Sequence, residues 1–283
     1  MIVDGHAHAS GGYLNIETII KTLDENNVDY VALCPGPMDM KNDQSLPNLS
    51  KKYPNADFFY FVNQVIRITV ALTGSSKQID AGNKYVYEFA KQFPERIKQF
   101  YWVNATEKNV MEKLEDEYAL YKFKGLKIHM CWNRMKLLST EMQAVAQWAG
   151  EKGLPIFIHL GTKRDARDVI TLIKRYENTV FIVAHLSGLD VFMDKQVNDA
   201  NVYYDISSYQ LIPQKKLLAA IATFGATKII MGSDTPFGND CLEKSIERIR
   251  ALGLSEQDMA LIMGENMHGI LSKCNNKGIS SSC

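Results

Sequence analysis

The chain reads as an α/β protein folded into a (β/α)8 TIM barrel, distorted and carrying a long insertion after its second strand. Three observations predict this. Short apolar runs rich in β-branched residues alternate with amphipathic stretches from end to end. Eight such runs can be counted, at a spacing that suits a parallel barrel covered by crossover helices. Polar residues, histidines above all, gather where these runs end. A doubly wound open sheet is the alternative, but it would concentrate its site at one switch point rather than at nearly every strand end.

The elements follow in order. A strand over residues 2–8 leads to a helix over 16–26, whose Ile19, Ile20 and Leu23 share one face. The second strand, 28–34, is stopped by Pro35-Gly36-Pro37, a strong breaker. Strand 99–103 precedes helix 110–121, strand 125–129 precedes helix 141–151, and strand 156–159 precedes helix 166–176. Strand 180–185 is followed by a helical stretch at 189–199, and strand 202–206 by helix 214–224. Strand 228–232 and two helices, 242–251 and 256–271, close the pattern.

One connection breaks the rhythm. Residues 36–97 hold a polar stretch, 41–52, an apolar aromatic run, 57–73, and a helix near 85–93. A connection this long carries structure or function of its own. Rising from the C-terminal face, it would roof the barrel mouth as a lid that shapes the substrate; a dimerisation arm is the competing reading. Residues 1–273 then form a single domain, and 274–283, with its Asn, Gly and Ser, reads as a disordered tail.

Composition narrows the function. Of 283 residues, 46% are hydrophobic and 23% charged, enough for a sizeable core. Lys+Arg and Asp+Glu stand at 32 each, so no overall field draws nucleic acid or an anionic membrane. The most apolar long stretch, 58–73, is interrupted by Asn63, Gln64 and Arg67 and is too short to span a bilayer. The first residues enter a strand with no secretory pattern, and 5 widely spaced cysteines make no disulfide framework. The expectation is a cytoplasmic enzyme with a small-molecule substrate, no nucleic-acid or membrane partner, and a homodimer as the one assembly considered.

The histidines carry the chemistry. Of 6, five (His6, His8, His129, His159 and His185) fall in the strand-like runs, and Asp234 ends another. His6 and His8 are two apart on one strand, so both imidazoles face one side. In a closed barrel all these strand ends converge on one rim, where imidazoles and a carboxylate suit one divalent metal ion, zinc first, with manganese, iron or nickel as alternatives. His6, His8, His159 and Asp234 are the expected ligands. Such a site keeps a position for water and lowers its pKa to about 7. Asp234 would ligate, move protons, or do both in turn, and His185 would hydrogen-bond water and substrate, a fourth nitrogen ligand being its alternative role.

Lys127 and His129 share a face of the fourth strand. An inward lysine needs a partner, so Lys127 is expected to grip a substrate anion as a free ammonium; carbamylation to bridge two metals is the alternative. His129 reads as a substrate contact or as a satisfied core histidine. Arg67, Arg134, Lys163 and Arg164 are further candidate cations for the substrate. Trp132, with Tyr13, Tyr209 and Phe237, lies just past a strand end and suggests a pocket for a flat substrate. Gly161 and Gly188 follow the strand-end histidines and permit tight turns.

The strand motifs Asp-Gly-His6-Ala-His8, Gly-Leu-Lys127-Ile-His129, Phe-Ile-His159-Leu-Gly, Val-Ala-His185-Leu-Ser-Gly and Met-Gly-Ser-Asp234-Thr-Pro-Phe-Gly resemble, in order, the signature strands of the amidohydrolase superfamily. The nearest likeness is to its amidohydrolase-related branch of mononuclear hydrolases, lactonases and aminocarboxymuconate-semialdehyde type decarboxylases. Met263-Gly-Glu-Asn266-Met-His268 resembles the closing helix, although the family does not demand a histidine where His268 stands, which reads as packing. The resemblance implies a distorted barrel with a metal at His6, His8, His159 and Asp234. The function expected is metal-dependent hydrolysis of an amide, lactone or ester in a small carboxylate-bearing or cyclic substrate. Non-oxidative decarboxylation of an aromatic or muconate-like acid is the alternative, and a non-catalytic metal-binding module the remaining one.

Overall fold

Eight parallel strands pair in chain order: β1 (Val3–Ala9), β2 (Tyr30–Pro35), β3 (Ile97–Trp102), β4 (Gly125–His129), β5 (Ile156–His159), β6 (Phe181–Val183), β7 (Val202–Asp205) and β8 (Ile229–Ile230). The computed structural model describes residues 1–38, 46–73, 79–238 and 240–277. Backbone bonds from Gly5 N to Met231 O (3.0 Å), from Asp234 N to His6 O (2.7 Å) and from His8 N to Thr235 O (2.8 Å) tie the chain after β8 back to β1. The sheet is thereby closed, as a (β/α)8 TIM barrel.

The outer layer consists of α1 (Ile16–Glu25), α4 (Ile79–Gln92), α5 (Val110–Tyr121), α6 (Thr140–Lys152), α7 (Lys163–Arg175), α8 (Leu189–Asp194), α9 (Gln214–Phe224) and α10 (Cys241–Arg250). Their limits follow local chemistry. α6 starts where the Ser139 side chain accepts from Met142 N and stops at Gly153 in the left-handed region. α7 opens on a reciprocal cap between Thr162 and Asp165.

Alternation within each strand sorts the core. Ile156 and Ile158 of β5 pack outward with the helices, whereas Phe157 joins Phe100, Ile182 and Ile230 inside the barrel. Each such side chain contributes about 2 kcal/mol on burial. Met267, Ile270 and Leu271 of α12 (Asn266–Lys277) pack into this inner cluster beside Val3 and Tyr30. They plug the end opposite the strand C-termini, so the mouth is left at the other rim.

The strands are shorter than their apolar runs where the chain turns into the site. β6 ends at Val183 because His185 and Leu186 take φ of 57° and 49°, which no strand accommodates. The closing helical stretch is broken into α11 (Glu256–Ala260), one wide π turn at Leu261–Glu265, and α12, which continues to Lys277. Of the expected tail, 278–283 lies outside the described residues.

The long connection divides in two. Its last part, α4, packs on β2 and β3 as an ordinary crossover helix, with Asn83 bonded to the Trp102 backbone. The added structure is α2 (Leu49–Lys52) and α3 (Phe59–Thr73). Ser50 bonds the backbone of Tyr209 and Gln210, Lys216 of α9 pairs with Asp57 at 2.8 Å, and Asn63 of α3 bonds the Leu160 carbonyl at 2.9 Å. These contacts hold α3 across the C-terminal ends of the strands. Residues 39–45 and 74–78 of the expected lid lie outside the described residues.

Candidate active site

Strand pleat and register bring the predicted side chains to one rim. His6 and His8 lie on β1, both buried, past a register slip between Asp4 and Ala7. Across β4 and β5, His129 pairs with His159 and Lys127 with Phe157. The two imidazoles therefore stack with centroids 3.8 Å apart, and the Lys127 nitrogen stands 4.6 Å over the Phe157 ring. Asp234 follows β8 at a φ of 59°. Gly232 is needed between β8 and Asp234 because a Cβ there would lie 2.8 Å from His6 Cβ and from Asp205 Oδ1.

His6, His8 and Asp234 offer ligand atoms all within 4.8 Å of one another. The two Nε2 atoms are 3.1 Å apart, with Asp234 Oδ1 3.6 Å from that of His8 and 3.8 Å from that of His6. Hydrogen bonding assigns the ring protons. His8 Nδ1 lies 2.6 Å from the Pro35 carbonyl, which can only accept, so Nδ1 holds the proton and Nε2 the lone pair. Ser207 Oγ gives its single proton to Asp205 Oδ2 at 2.5 Å, and so accepts from Nδ1 of both His6 and His185, at 3.0 and 2.9 Å. All three imidazoles thus keep an Nε2 lone pair free of backbone partners.

This donor set fits a divalent cation. Two lone pairs facing each other at 3.1 Å beside a carboxylate repel unless positive charge stands among them, and neutral imidazole nitrogens with a carboxylate oxygen are donors that a borderline metal takes. Burial holds His8 down at about 3, and His6 and His185 well below their ordinary value, so the rings are neutral at physiological pH. The fully buried Lys127 amine, 2.6 Å from His6 Nε2, donates to the same lone pair. Burial also lowers its pKa. The second group, His6 with His185 and Asp205, is the hydrogen-bonded support behind the rings, since Ser207 already satisfies it.

Asp234 is poised for proton transfer. Its Oδ2 accepts from the Ser208 hydroxyl. Burial raises its pKa to about 7, against the opposing pull of that bond and of Lys127. A carboxyl group near neutrality exchanges protons readily at working pH.

The remaining candidates separate. His159 stands apart from the three-residue group: its Nε2 bonds Asn63 Oδ1 at 2.8 Å, and its ring lies 4.9 Å from that of His185. His129 Nδ1 accepts from Cys131 N at 3.2 Å, leaving its proton on Nε2, and its ring stacks on Trp102 at 5.5 Å. It is a satisfied histidine with one donor to spare. His129, Cys131 and His159 also lie close together, but burial pushes the Cys131 thiol up to about 12 and the stacked rings aim their lone pairs side by side. Trp132 packs 5.3 Å from Trp102, and the Phe237 ring lies 5.4 Å from His8. Tyr13 is buried and Tyr209 half-buried.

Among the cations, Arg67 follows Asn63 by one turn on α3, and its Nε is shielded from solvent without a hydrogen-bond partner among the described residues. Arg67 and Arg134 both lie near enough to Cys131 to favour its thiolate. Lys163 and Arg164 are drawn off to surface pairs with Asp190 and Asp168. His268 bonds Tyr30 at 3.3 Å on the far side of the barrel, as packing.

Sequence reasoning passed over Asn63, Asp205, Ser207 and Ser208. Asp205 ends the run Val-Tyr-Tyr-Asp and had the same strand-end signal as the histidines. Asn63, lying in a connection whose path over the rim the sequence does not reveal, had none.

A family model described as Amidohydrolase matches residues 50–267, well over half of the chain. No curated protein matches it by sequence. Among solved structures, a 2,6-dihydroxybenzoate decarboxylase from Rhizobium superposes with a TM-score of 0.68 at 13% identity, over 96% of this chain and 98% of that one. A dihydroxybenzoic acid decarboxylase from Polaromonas with bound manganese gives 0.65 at 13%, covering 96% of each. A 4-oxalomesaconate hydratase from Rhodopseudomonas palustris gives 0.64 at 12%, over 98% and 97%. These likenesses show a shared fold. With the barrel, the rim and the family match in agreement, the chain belongs to the amidohydrolase family.

Proposed function

We propose that the chain is a metal-dependent hydrolase that opens a carbonyl centre, amide, lactone or ester, in a small carboxylate-bearing or cyclic substrate. The observation that carries this reading is Asp234. One of its oxygens faces the His6 and His8 lone pairs at 3.8 and 3.6 Å, the other is held by Ser208, and its pKa is raised to about 7. His6, His8 and Asp234 would hold one divalent ion, zinc first or manganese as in the Polaromonas neighbour, while His159, expected as a ligand, donates its Nε2 proton to Asn63 and stands outside this set. The ion would polarise the substrate carbonyl and lower the pKa of a bound water. Asp234 takes up and returns the proton at Oδ1, and Ser208 keeps that carboxyl in place. His185, fixed by Ser207, offers its Nε2 lone pair to substrate or water.

Arg67 supports a substrate anion, because a guanidinium Nε shielded from solvent and without a partner among the described residues is costly unless a ligand pairs with it. Lys127 lies beneath the rings against His6 rather than in the open mouth, so it tunes the rim and leaves anion binding to Arg67 and Arg134. Trp102, His129 and Trp132 form an aromatic cluster, with His129 stacked on Trp102 and Trp132 set edge-on to it. That cluster, with Arg67 and Arg134 near the adjacent Cys131, favours a second reading, non-oxidative decarboxylation of an aromatic or muconate-like acid.

One panel tests both. Zinc- or manganese-loaded protein is incubated with lactones, amides and aromatic acids while acid production and carbon dioxide are recorded. Acid release without carbon dioxide supports hydrolysis; carbon dioxide from a ring acid replaces it with the second reading. The expected setting is the cytoplasm; no described helix is long and apolar enough to cross a membrane.

A further inference from the structure

α3 presents two unlike faces. Phe59, Asn63 and Val70 turn toward the barrel and are buried. Phe61, Val65, Ile68 and Leu72 stand out at 67%, 48%, 60% and 82% exposure. Their spacing of four, three and four residues is that of a heptad seam, the pattern by which one helix packs lengthwise along another. Exposed apolar side chains are normally scattered, and a contiguous row of a few hundred Å² marks a contact surface.

We propose that this seam packs antiparallel on the α3 seam of a second copy of the chain, across a two-fold axis. Val65 then meets Ile68 of the second copy, and Phe61 meets Leu72. Three features select this occupant. The interval pattern is the same read in either direction about the midpoint between Val65 and Ile68, so the face is complementary to itself under a two-fold rotation. Arg67 is the one charged residue in α3, and it points to the barrel side; an acidic or basic partner would find no counter-charges on the seam. A membrane-surface helix would flank its apolar face with lysines and arginines, which α3 lacks. The exposed neighbours Gln64 and Ala71 flank the seam without adding charge to it.

Sedimentation velocity on the full chain over the micromolar range reads the outcome. The wild type is expected to move toward twice the 32.0 kDa chain mass. Val65→Lys and Ile68→Glu are each expected to stay at the single-chain mass with unchanged far-UV circular dichroism. An equal mixture of these two variants should regain the double mass, because the introduced ammonium and carboxylate face each other across the axis. Leu72→Gln, at the most exposed position, is the gentler variant and should weaken association about tenfold. A wild type of single-chain mass throughout, a variant that keeps the double mass, or a mixture that does not recover it would each overturn the proposal. So would a single-chain wild type that sediments with phosphatidylcholine–phosphatidylserine vesicles, which would assign the seam to a lipid surface.

Discussion

Asn63 accepts a hydrogen bond from His159 Nε2 at 2.8 Å while its own amide nitrogen donates to the Leu160 carbonyl at 2.9 Å. One side chain of the inserted helix is thereby joined to a rim imidazole and to the strand end that carries it. Asn63→Ala would leave a buried ring N–H and a buried carbonyl unpaired, at a cost of about 2 kcal/mol. Urea denaturation of the metal-free protein checks this. An unchanged midpoint would mean that α3 is held by its other contacts alone.

Ser207 serves two rings with one oxygen. Ser207→Ala removes the acceptor that fixes the protons of His6 and His185 on Nδ1, and withdraws a donor from Asp205. Metal affinity should fall ten- to a hundredfold, as it does when groups behind a ligand are lost. Competition with a chelating dye measures it, and equal affinities would remove Ser207 from the support of the site.

Asp234→Asn keeps the shape and the Ser208 contact region while abolishing proton exchange. Turnover should drop by about a hundredfold or more, with metal content retained or modestly reduced by elemental analysis. Unaltered turnover would reject its role.

Acid should weaken the metal-free fold. His6, His8, His129, His159 and His185 have folded pKa values held far below 6.5 by burial, so as pH falls through 6.5 the unfolded chain takes up protons that the folded one refuses. Asp4 and Asp205, raised to about 6, and Asp234, raised to about 7, act oppositely, since the folded state binds their protons first. Five histidines against three carboxylates leave the unfolded state about two protons ahead near pH 5.5, a slope on the order of 2 kcal/mol of lost stability per pH unit. Denaturation midpoints that rise between pH 7 and 5 would contradict this.

The barrel and most of its rim were legible because strand ends repeat one signal. β4, β5, α5 and α9 fall at the residues their patterns predicted, and His6, His8 and Asp234 meet as the converging strands require. What could not be read depends on contacts between distant segments. Asn63 reaches His159 only through the path of the insertion, and the burial of Lys127 against His6 follows from ring positions on neighbouring strands. The early end of β6 was hidden for another reason: β-branched residues run up to Ala184, and nothing in that run announces that His185 will turn left-handed.

That turn is not isolated. His185, Leu186, Ser208 and Asp234 all hold positive φ without being glycine, and each such residue stores roughly 1 kcal/mol or more. The two ends of the molecule differ in how such turns are held: Asn27, Lys122 and Gln196 at the floor take positive φ in exposed turns, whereas these four do so where packing surrounds them. Substitutions that ease these buried turns would harden the protein while blunting whatever it catalyses.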